Sequence, residues 1–267
     1  MKIGVFDSGV GGLTVLRELL AALPQADYLY VGDTARLPYG SKSAATIARY
    51  AVSSVQFLVD HGAEYLVIAC NTASALAMNE ISAAVAVPVL GVIEPGARAA
   101  SALTKSKNVY VIGTAATVAS HAYRKELSKL GIEALEKACP LFVPLVEEGW
   151  TEHSVTEQVA RIYLDDLARE QRTNGAAPAD VLVLGCTHYP LLKPLLRRVI
   201  TNEMLLVDSA EATAHDVGQR LGFGRQTPRR DPQLRFFATD SVEKFRALGS
   251  RFLGRAIENV ELISLPE

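Results

Sequence analysis

The stretch YLVIAC at 65–70 decides the fold, because it is a short apolar run, as expected of a buried strand, that ends in a cysteine. The stretch VLVLGC at 181–186 repeats this pattern in the second half of the chain. Each cysteine is followed by a small polar pair, at 71–72 and 187–188, and then by residues that can open a helix. Buried strands that lead directly into helices are typical of βαβ units and a parallel sheet.

The same alternation of short apolar runs and helical periodicity extends along the whole chain, so we predict an α/β fold with mostly parallel sheets. The strands are predicted near 2–6, 28–32, 65–69, 87–92, 108–112, 140–143, 180–185, 204–207, 234–238 and 259–263. The helices are predicted over 13–22, 44–61, 72–84, 95–103, 117–130, 153–171, 190–199, 210–221 and 241–252.

A weak internal echo indicates two similar α/β domains. The run VFDSG at 5–9 leads into a helix, and a later strand delivers Cys70; the run VIGT at 111–114 leads into a helix, and a later strand delivers Cys186. Domains whose strand ends face one another enclose a crevice, where ligands bind. We predict a first domain of residues 1–93 plus 205–267, a second of residues 94–204, and an active site in the crevice between them.

Size and charge favour an ordinary globular protein. The chain has 267 residues, 49% of them hydrophobic, and a net charge of -2. These values give no sign of a polybasic surface. The densest basic segment, 225–235, is interrupted by prolines and an aspartate and has no aromatic residue for base stacking. We expect a solvated loop there and no nucleic-acid partner.

The N-terminal sequence and the cysteine pattern predict the cellular compartment of the protein and whether it binds a metal. The first residues enter a strand directly and lack a signal-peptide core, and no apolar run has the length of a membrane span. Three widely spaced cysteines then predict reduced thiols in a cytoplasmic protein. There is no C-x-x-C pair and no histidine at metal-finger spacing, so we expect no metal site.

Cys70 and Cys186 are the first candidate functional residues. Both are placed at a strand C-terminus beside a helix N-terminus, where backbone N–H groups are expected to favour the thiolate and lower the thiol pKa. Two thiols presented alike suggest a site with one proton-transfer base on each face. The alternative is a pair of small buried core residues. Cys139, before Pro140, lacks the pattern and is predicted to be structural.

The glycine-rich turn DSGVGG at 7–12 requires a choice between an anion cradle and a simple turn. A P-loop ends in Gly-Lys-Ser/Thr, whereas Leu13 follows here, so nucleotide binding is disfavoured. The turn can still bring backbone N–H groups close to a small anion such as a carboxylate. It also places Asp7 at the same sheet edge as the thiols, with a turn or capping aspartate as the alternative.

Three further positions could contribute to a polar pocket. Tyr39 and Gly40 lie in a Pro/Gly turn after the second predicted strand. One of Glu147 and Glu148 could bind an ammonium group or tune a base, although such pairs are often solvated. His188 could orient or deprotonate a neighbouring group, or serve only as a cap.

Four separated motifs, taken together, resemble the glutamate racemases of the aspartate/glutamate racemase superfamily. They are DSG at 7–9, PYG at 38–40, CNTA at 70–73 and GCTHYP at 185–190, and they occur in the family's order. The resemblance extends from the first strand through the C-terminal elements. It implies two α/β domains with the active site between them, and a cofactor-independent interconversion of L- and D-glutamate for bacterial peptidoglycan.

The resemblance also implies roles for single residues. Cys70 and Cys186 are the implied acid/base pair, assisted by Asp7 and His188, with Glu147 as a further acidic residue. It implies no cofactor and no metal, glutamate as the small-molecule partner, no membrane partner, and a homodimer as one possible assembly. The residues implied to bind substrate are Asp7, Ser8, Tyr39, Gly40, Asn71, Thr72, Thr187, His188, Thr114 and Thr117.

Three other functions are alternatives to this one. Aspartate racemisation is disfavoured because aspartate-specific relatives tend to carry glutamate at the position of His188. A bilobed amino-acid-binding protein would not need two matched thiols. A thiol hydrolase needs a single nucleophile and leaves one of the two cysteines unexplained.

Overall fold

The computed structural model describes residues 1–175, 177–201, 203–222 and 231–266. Residues 225–230, most of the basic segment, lie outside the described residues. The described strands are β1 (Lys2–Asp7), β2 (Asp27–Gly32), β3 (Tyr65–Ile68), β4 (Val89–Gly91), β5 (Asn108–Gly113), β6 (Glu133–Ala138), β7 (Val181–Gly185), β8 (Leu205–Asp208), β9 (Leu234–Ala238) and β10 (Glu261–Leu262).

Helices connect most of these strands. The described α-helices are α1 (Leu13–Ala22), α2 (Ala44–Asp60), α3 (Asn71–Leu76), α4 (Met78–Ala84), α5 (Ile93–Leu103), α6 (Ala115–Ser120), α7 (Ala122–Lys129), α8 (Phe142–Glu147), α9 (Ser154–Thr173), α10 (Lys193–Val199), α11 (Ser209–Arg220) and α12 (Val242–Leu253). Short 3₁₀ turns add Thr34–Arg36, Tyr39–Ser41 and Tyr189–Leu192.

Two parallel sheets organise the chain, and this confirms the α/β fold predicted from the sequence. The first is six-stranded in the order β10-β9-β2-β1-β3-β4, and the second is four-stranded in the order β6-β5-β7-β8. The paired strands described in both sheets run parallel. Their carboxyl ends therefore collect the strand-to-helix loops at one edge of each sheet, where α/β proteins bind ligands.

The last third of the chain contributes to both sheets. β9 pairs with β2 and β10 with β9 in the first sheet, whereas β8 pairs with β7 in the second. β8 thus lies in the segment 205–267 that the sequence analysis assigned to the first domain, although its hydrogen bonds are to the second sheet. The domain limits themselves stay a prediction.

One strand prediction was wrong. The segment 140–143 was predicted as a strand, but it contains the start of α8, and the strand of that region is β6 at Glu133–Ala138. β6 pairs only with β5 among the described strands, and its EALEKA sequence is polar because an edge strand is partly solvated. The apolar run after it is helical, since Phe142 and Val146 are one turn apart and both buried.

Two predicted helices are each interrupted. The segment 72–84 divides at Ala77, and the segment 117–130 divides at His121, which has left-handed backbone angles of φ 55° and ψ 28°. The predicted helix 190–199 begins as a 3₁₀ turn before α10, since Pro190 and Pro194 supply no backbone N–H.

A continuous apolar core connects the two sheets. It includes Val5 and Tyr30 of the first sheet, Ile112 and Leu184 of the second, and Ala214 of α11. Helix α11 packs against both α1 and α5 and so joins the two halves. Among the described helices, none combines the length and the apolar character that a bilayer span requires.

Candidate active site

A cavity of about 550 Å³ lies between the carboxyl ends of the two sheets. The predicted site residues that line it come from loops of both halves: Ser8, Tyr39, Gly40, Cys70, Asn71, Thr72, Thr114, Glu147, Cys186, Thr187 and His188. Asp7 and Thr117 are not part of the lining, but both contact residues that are. The structure therefore brings the predicted set to one place.

Both repeated cysteines lie at the end of a parallel strand, but only Cys70 directly precedes an α-helix, since a 3₁₀ turn, Tyr189–Leu192, follows Cys186. Cys70 follows β3 and precedes the first residue of α3, and Cys186 directly follows β7. Each is almost fully buried and still lines the cavity. Cys139 is also buried but does not line the cavity, and its Sγ lies 3.6 Å from the Lys137 carbonyl oxygen. This arrangement separates one structural thiol from two that a ligand can reach.

The environment of Cys70 differs from what its strand-end position predicted. Burial, and then the negative charge of Asp7, raises the pKa of the Cys70 thiol to about 12. The Ser8 hydroxyl, 3.5 Å from Sγ, and backbone N–H groups act against this rise. The expectation of a lowered pKa was wrong for Cys70, because desolvation outweighs the few N–H groups of a short helix.

Asp7 ends β1 and lies behind the cavity wall. Its Oδ2 accepts a hydrogen bond from the Gly9 N–H at 2.9 Å, which fixes the carboxylate in the glycine-rich turn. Its Oδ1 is buried with no hydrogen-bond partner among the described residues. Burial raises the pKa of Asp7, although the charge of His188 and backbone N–H groups oppose the rise. Asp7 is therefore buried from solvent and interacts electrostatically with Cys70.

His188 is held in the opposite wall beside the second thiol. Its Nε2 lies 3.2 Å from Glu147 Oε1, and its ring packs edge-on against Phe252. Burial acts to lower the pKa of His188, but hydrogen bonding and the negative charges of Cys186 and Glu147 raise it to about 10. At neutral pH an imidazolium therefore lies between a thiol group and a carboxylate.

Glu147 and Glu148 differ in their placement relative to the cavity. Glu147 lines the cavity and contacts His188, whereas Glu148 is exposed and does not line it. The His188 hydrogen bond lowers the pKa of Glu147, against a rise from burial, and Lys244 and Arg251 act in the lowering direction. Arg251 also donates to the Glu147 carbonyl oxygen at 2.7 Å, which fixes the end of α8.

The glycine-rich turn approaches the second thiol's loop very closely. A Cβ on Gly11 would lie 2.2 Å from Thr187 Oγ1 and 2.6 Å from His188 Nδ1. The Thr14 hydroxyl lies 2.9 Å from both the Gly11 and the Thr187 carbonyl oxygens. The turn thus forms a close contact between the two walls of the cavity.

Tyr39 lines the cavity, and its hydroxyl is bonded to a buried carboxylate. The hydroxyl donates to Asp33 Oδ2 at 2.6 Å, and Thr239 donates to Asp33 Oδ1 at 3.0 Å. Asp33 is fully buried and also lies 3.6 Å from the Arg36 guanidinium. The neighbouring Gly40 faces Thr114, with room for a Cβ at 3.6 Å.

Amide and hydroxyl groups cluster where the two walls meet. The Thr72 hydroxyl lies 3.0 Å from that of Thr114, which lies 2.9 Å from that of Thr117. Asn71 Oδ1 accepts a hydrogen bond from the Tyr123 hydroxyl at 2.8 Å. Asn71 Nδ2 is buried without a hydrogen-bond partner among the described residues, so it is available to a ligand's carboxylate.

Sequence reasoning missed several lining residues. Most are apolar or small residues of the loops already singled out, and Lys244 of α12 is the one that carries a charge. No local signal could identify Lys244, because only the return of the chain after β9 brings α12 to the mouth of the cavity. The described residues contain no cluster of three or more histidine, cysteine or acidic side chains that could hold a metal ion.

Known proteins with similar sequences and structures share this architecture. Residues 3–217 match the model of the Asp/Glu/Hydantoin racemase family. The chain is 56% identical to a glutamate racemase of Koribacter versatilis, with 98% of this chain and 97% of that protein covered. A glutamate racemase isoform of Bacillus anthracis superposes with a TM-score of 0.89 at 36% identity, covering 99% of this chain and 97% of that one. The Francisella tularensis glutamate racemase, solved in complex with D-glutamate, gives 0.86 at 36% identity and covers 98% and 97%.

Proposed function

The chain belongs to the Asp/Glu/Hydantoin racemase family and is an amino-acid racemase, and from this premise we propose that it interconverts L- and D-glutamate with two cysteines and no cofactor. Relatives named glutamate racemase at up to 56% identity favour glutamate as the substrate. One of the similar structures contains bound D-glutamate. The two-thiol mechanism rests on the geometry of this chain.

The observation that carries the mechanism is the position of the two thiols. Cys70 and Cys186 line one cavity from the strand ends of two different sheets. Racemisation removes the α-proton from one face of the substrate and returns a proton to the other. Two bases on opposite walls accomplish this without the movement across the substrate that a single base would need. The mechanism requires one of the two groups to be a thiolate and the other a thiol when the substrate binds.

The charges around the thiols suggest which one begins as the acid. The raised pKa of Cys70, near 12, favours its thiol form in the unliganded site. The mechanism then requires Cys186 to act as the thiolate, beside the His188 imidazolium that Glu147 holds in place. In this form Cys186 would accept the α-proton of L-glutamate and Cys70 would donate to the other face. The assignment reverses in the D-to-L direction.

The carbanion-like transition state needs donors at the substrate carboxylate, because the α-hydrogen is a very weak acid. The unpartnered Nδ2 of Asn71 and the Thr72, Thr114 and Thr187 hydroxyls supply such donors on the cavity wall. Donors already fixed in place stabilise developing charge more than mobile water does. Ser8, Tyr39 and Gly40 would complete the pocket.

The cellular role follows from the product. We propose that this racemase supplies D-glutamate for bacterial peptidoglycan and acts in the cytoplasm. A bilobed binding protein remains disfavoured, because binding alone does not explain two thiols at strand ends beside one cavity.

The direct test incubates the purified protein with each enantiomer of glutamate and of aspartate. The loss of optical rotation of the amino acid is then followed over time. After dialysis against a chelator and without added pyridoxal phosphate, we expect both glutamate enantiomers to racemise. Aspartate should have a much lower kcat/KM. Unchanged optical rotation of glutamate would overturn the proposed function, and activity restored only by metal would overturn its cofactor independence.

A second test follows the proton in heavy water. The donating thiol exchanges with solvent before it meets the substrate, so we expect early product to carry deuterium at Cα and recovered substrate to carry none. A single base would return solvent-derived label to the face it came from. Mass spectrometry of both enantiomers at about a tenth of conversion distinguishes these cases, and early label in unreacted substrate contradicts the two-thiol mechanism.

A further inference from the structure

The charges around the cavity create a problem for an anionic substrate. Glutamate at neutral pH carries two carboxylates and one ammonium group, a net charge of about -1. The proposed reaction, on which this inference rests, also needs one thiolate in the site. Glu147 lines the same cavity, and Asp7 lies behind its wall. A cationic side chain beside the cavity would offset part of this negative charge.

The cations available are few. Among the described residues that line the cavity, Lys244 is the only lysine or arginine, and His188 is the only histidine. His188 is already engaged with Glu147 and the second thiol. The nearby Arg251 does not line the cavity and donates to the Glu147 carbonyl oxygen. Lys244 is therefore the cation at the cavity that has no described partner and could interact with an anionic ligand.

The position of Lys244 fits a role at the entrance. It is exposed on α12, the helix whose Arg251 and Phe252 contact Glu147 and His188 of the cavity wall. The ammonium group acts on the Glu147 carboxylate electrostatically, yet no ion pair within 4.0 Å joins Lys244 to any acidic group of the described residues. Lys244 can thus turn toward an incoming carboxylate without breaking a bond inside the protein.

We propose that Lys244 recruits the anionic amino acid to the cavity and selects for acidic over neutral substrates. A cation at the mouth of a cleft with low-dielectric walls raises the local concentration of an anionic ligand and its rate of entry. The residue acts on binding and not on the proton transfer between the thiols. Its effect is therefore on KM and on salt dependence.

The test compares Lys244→Met with Lys105→Met. Lys105 is an exposed lysine just before β5, at the sheet edge opposite the cavity, so its replacement changes the net charge equally. At low salt we expect Lys244→Met to raise KM for glutamate about tenfold, with kcat lowered less than threefold. Lys244→Arg should restore KM, and Lys105→Met should match the wild type.

The salt dependence of kcat/KM and the protection of the thiols by glutamate give two independent measures of the effect of Lys244 on substrate binding. Raising ionic strength from about 0.01 to 0.15 M shortens the Debye length from about 30 to 8 Å, so kcat/KM of the wild type should fall more steeply than that of Lys244→Met. The glutamate concentration that half-protects the thiols from alkylation should rise about tenfold in the variant, whether or not turnover occurs. An unchanged KM and half-protection, or a loss in kcat alone, would overturn the inference. Absence of racemisation by the wild type would instead refute the proposed function.

Discussion

Replacing either Cys70 or Cys186 by alanine is expected to lower glutamate racemisation about 10⁴-fold, the upper range for loss of a general acid or base. A methyl group can neither accept the α-proton nor return one. Because every turnover needs one proton removed and one delivered, neither thiol can substitute for the other. The loss corresponds to about 5.5 kcal/mol of transition-state stabilisation. Racemisation in both directions should be measured by circular dichroism.

Cys139→Ala is the matched control, because Cys139 is equally buried but does not line the cavity. It should keep near-normal turnover even if its melting temperature falls.

Cys70→Ala and Cys186→Ala each retain one of the two bases. In heavy water, exchange of the α-proton without inversion should therefore be confined to one enantiomer of glutamate. By the family resemblance, that enantiomer is D-glutamate in Cys186→Ala and L-glutamate in Cys70→Ala. Near-normal turnover of Cys186→Ala would contradict the argument from equivalent strand ends.

The positions of both thiols could be predicted from sequence because the strands before them are buried on both faces. Such strands have continuous apolar sequences, and the next small polar residues must then lie at the sheet's carboxyl edge. β6 could not be found in the same way, since an edge strand is solvated and its EALEKA sequence has no apolar run. The apolar run next to it was misassigned because periodicity cannot separate a short strand from one buried helical turn.

Charges at the site were less predictable than positions. A helix N-terminus favours a thiolate, but burial depth and a carboxylate distant in sequence decide the pKa of Cys70. Choosing Glu147 over Glu148 required the orientation of α8, and finding Lys244 required the path of the chain after β9. Each of these depends on contacts between segments far apart in sequence, which no local pattern encodes.

Gly11→Ala is expected to lower kcat/KM for glutamate about 100-fold, although no atom of Gly11 lines the cavity. The added methyl group would lie 2.2 Å from Thr187 Oγ1 and 2.6 Å from His188 Nδ1, closer than packed atoms approach. His188 has little room to move, because Glu147 holds its Nε2 and Phe252 packs against its ring. Relief of the contact must therefore displace the glycine-rich turn and the Cys186 loop relative to each other.

A displacement of about 1 Å in a catalytic group is sufficient for a loss of this size, about 2.7 kcal/mol in activation free energy. Gly218→Ala in α11 is the matched control, since its Cβ would meet only Leu23 Cδ2 at an ordinary 3.7 Å. That variant should keep full activity and gain about 0.5–1 kcal/mol in unfolding free energy, because alanine is the better helix former. Thermal melts should show Gly11→Ala folded at the assay temperature, so that its loss reports the site. Activity within twofold of the wild type would mean that the close contact between the glycine-rich turn and the Cys186 loop does not position the second base.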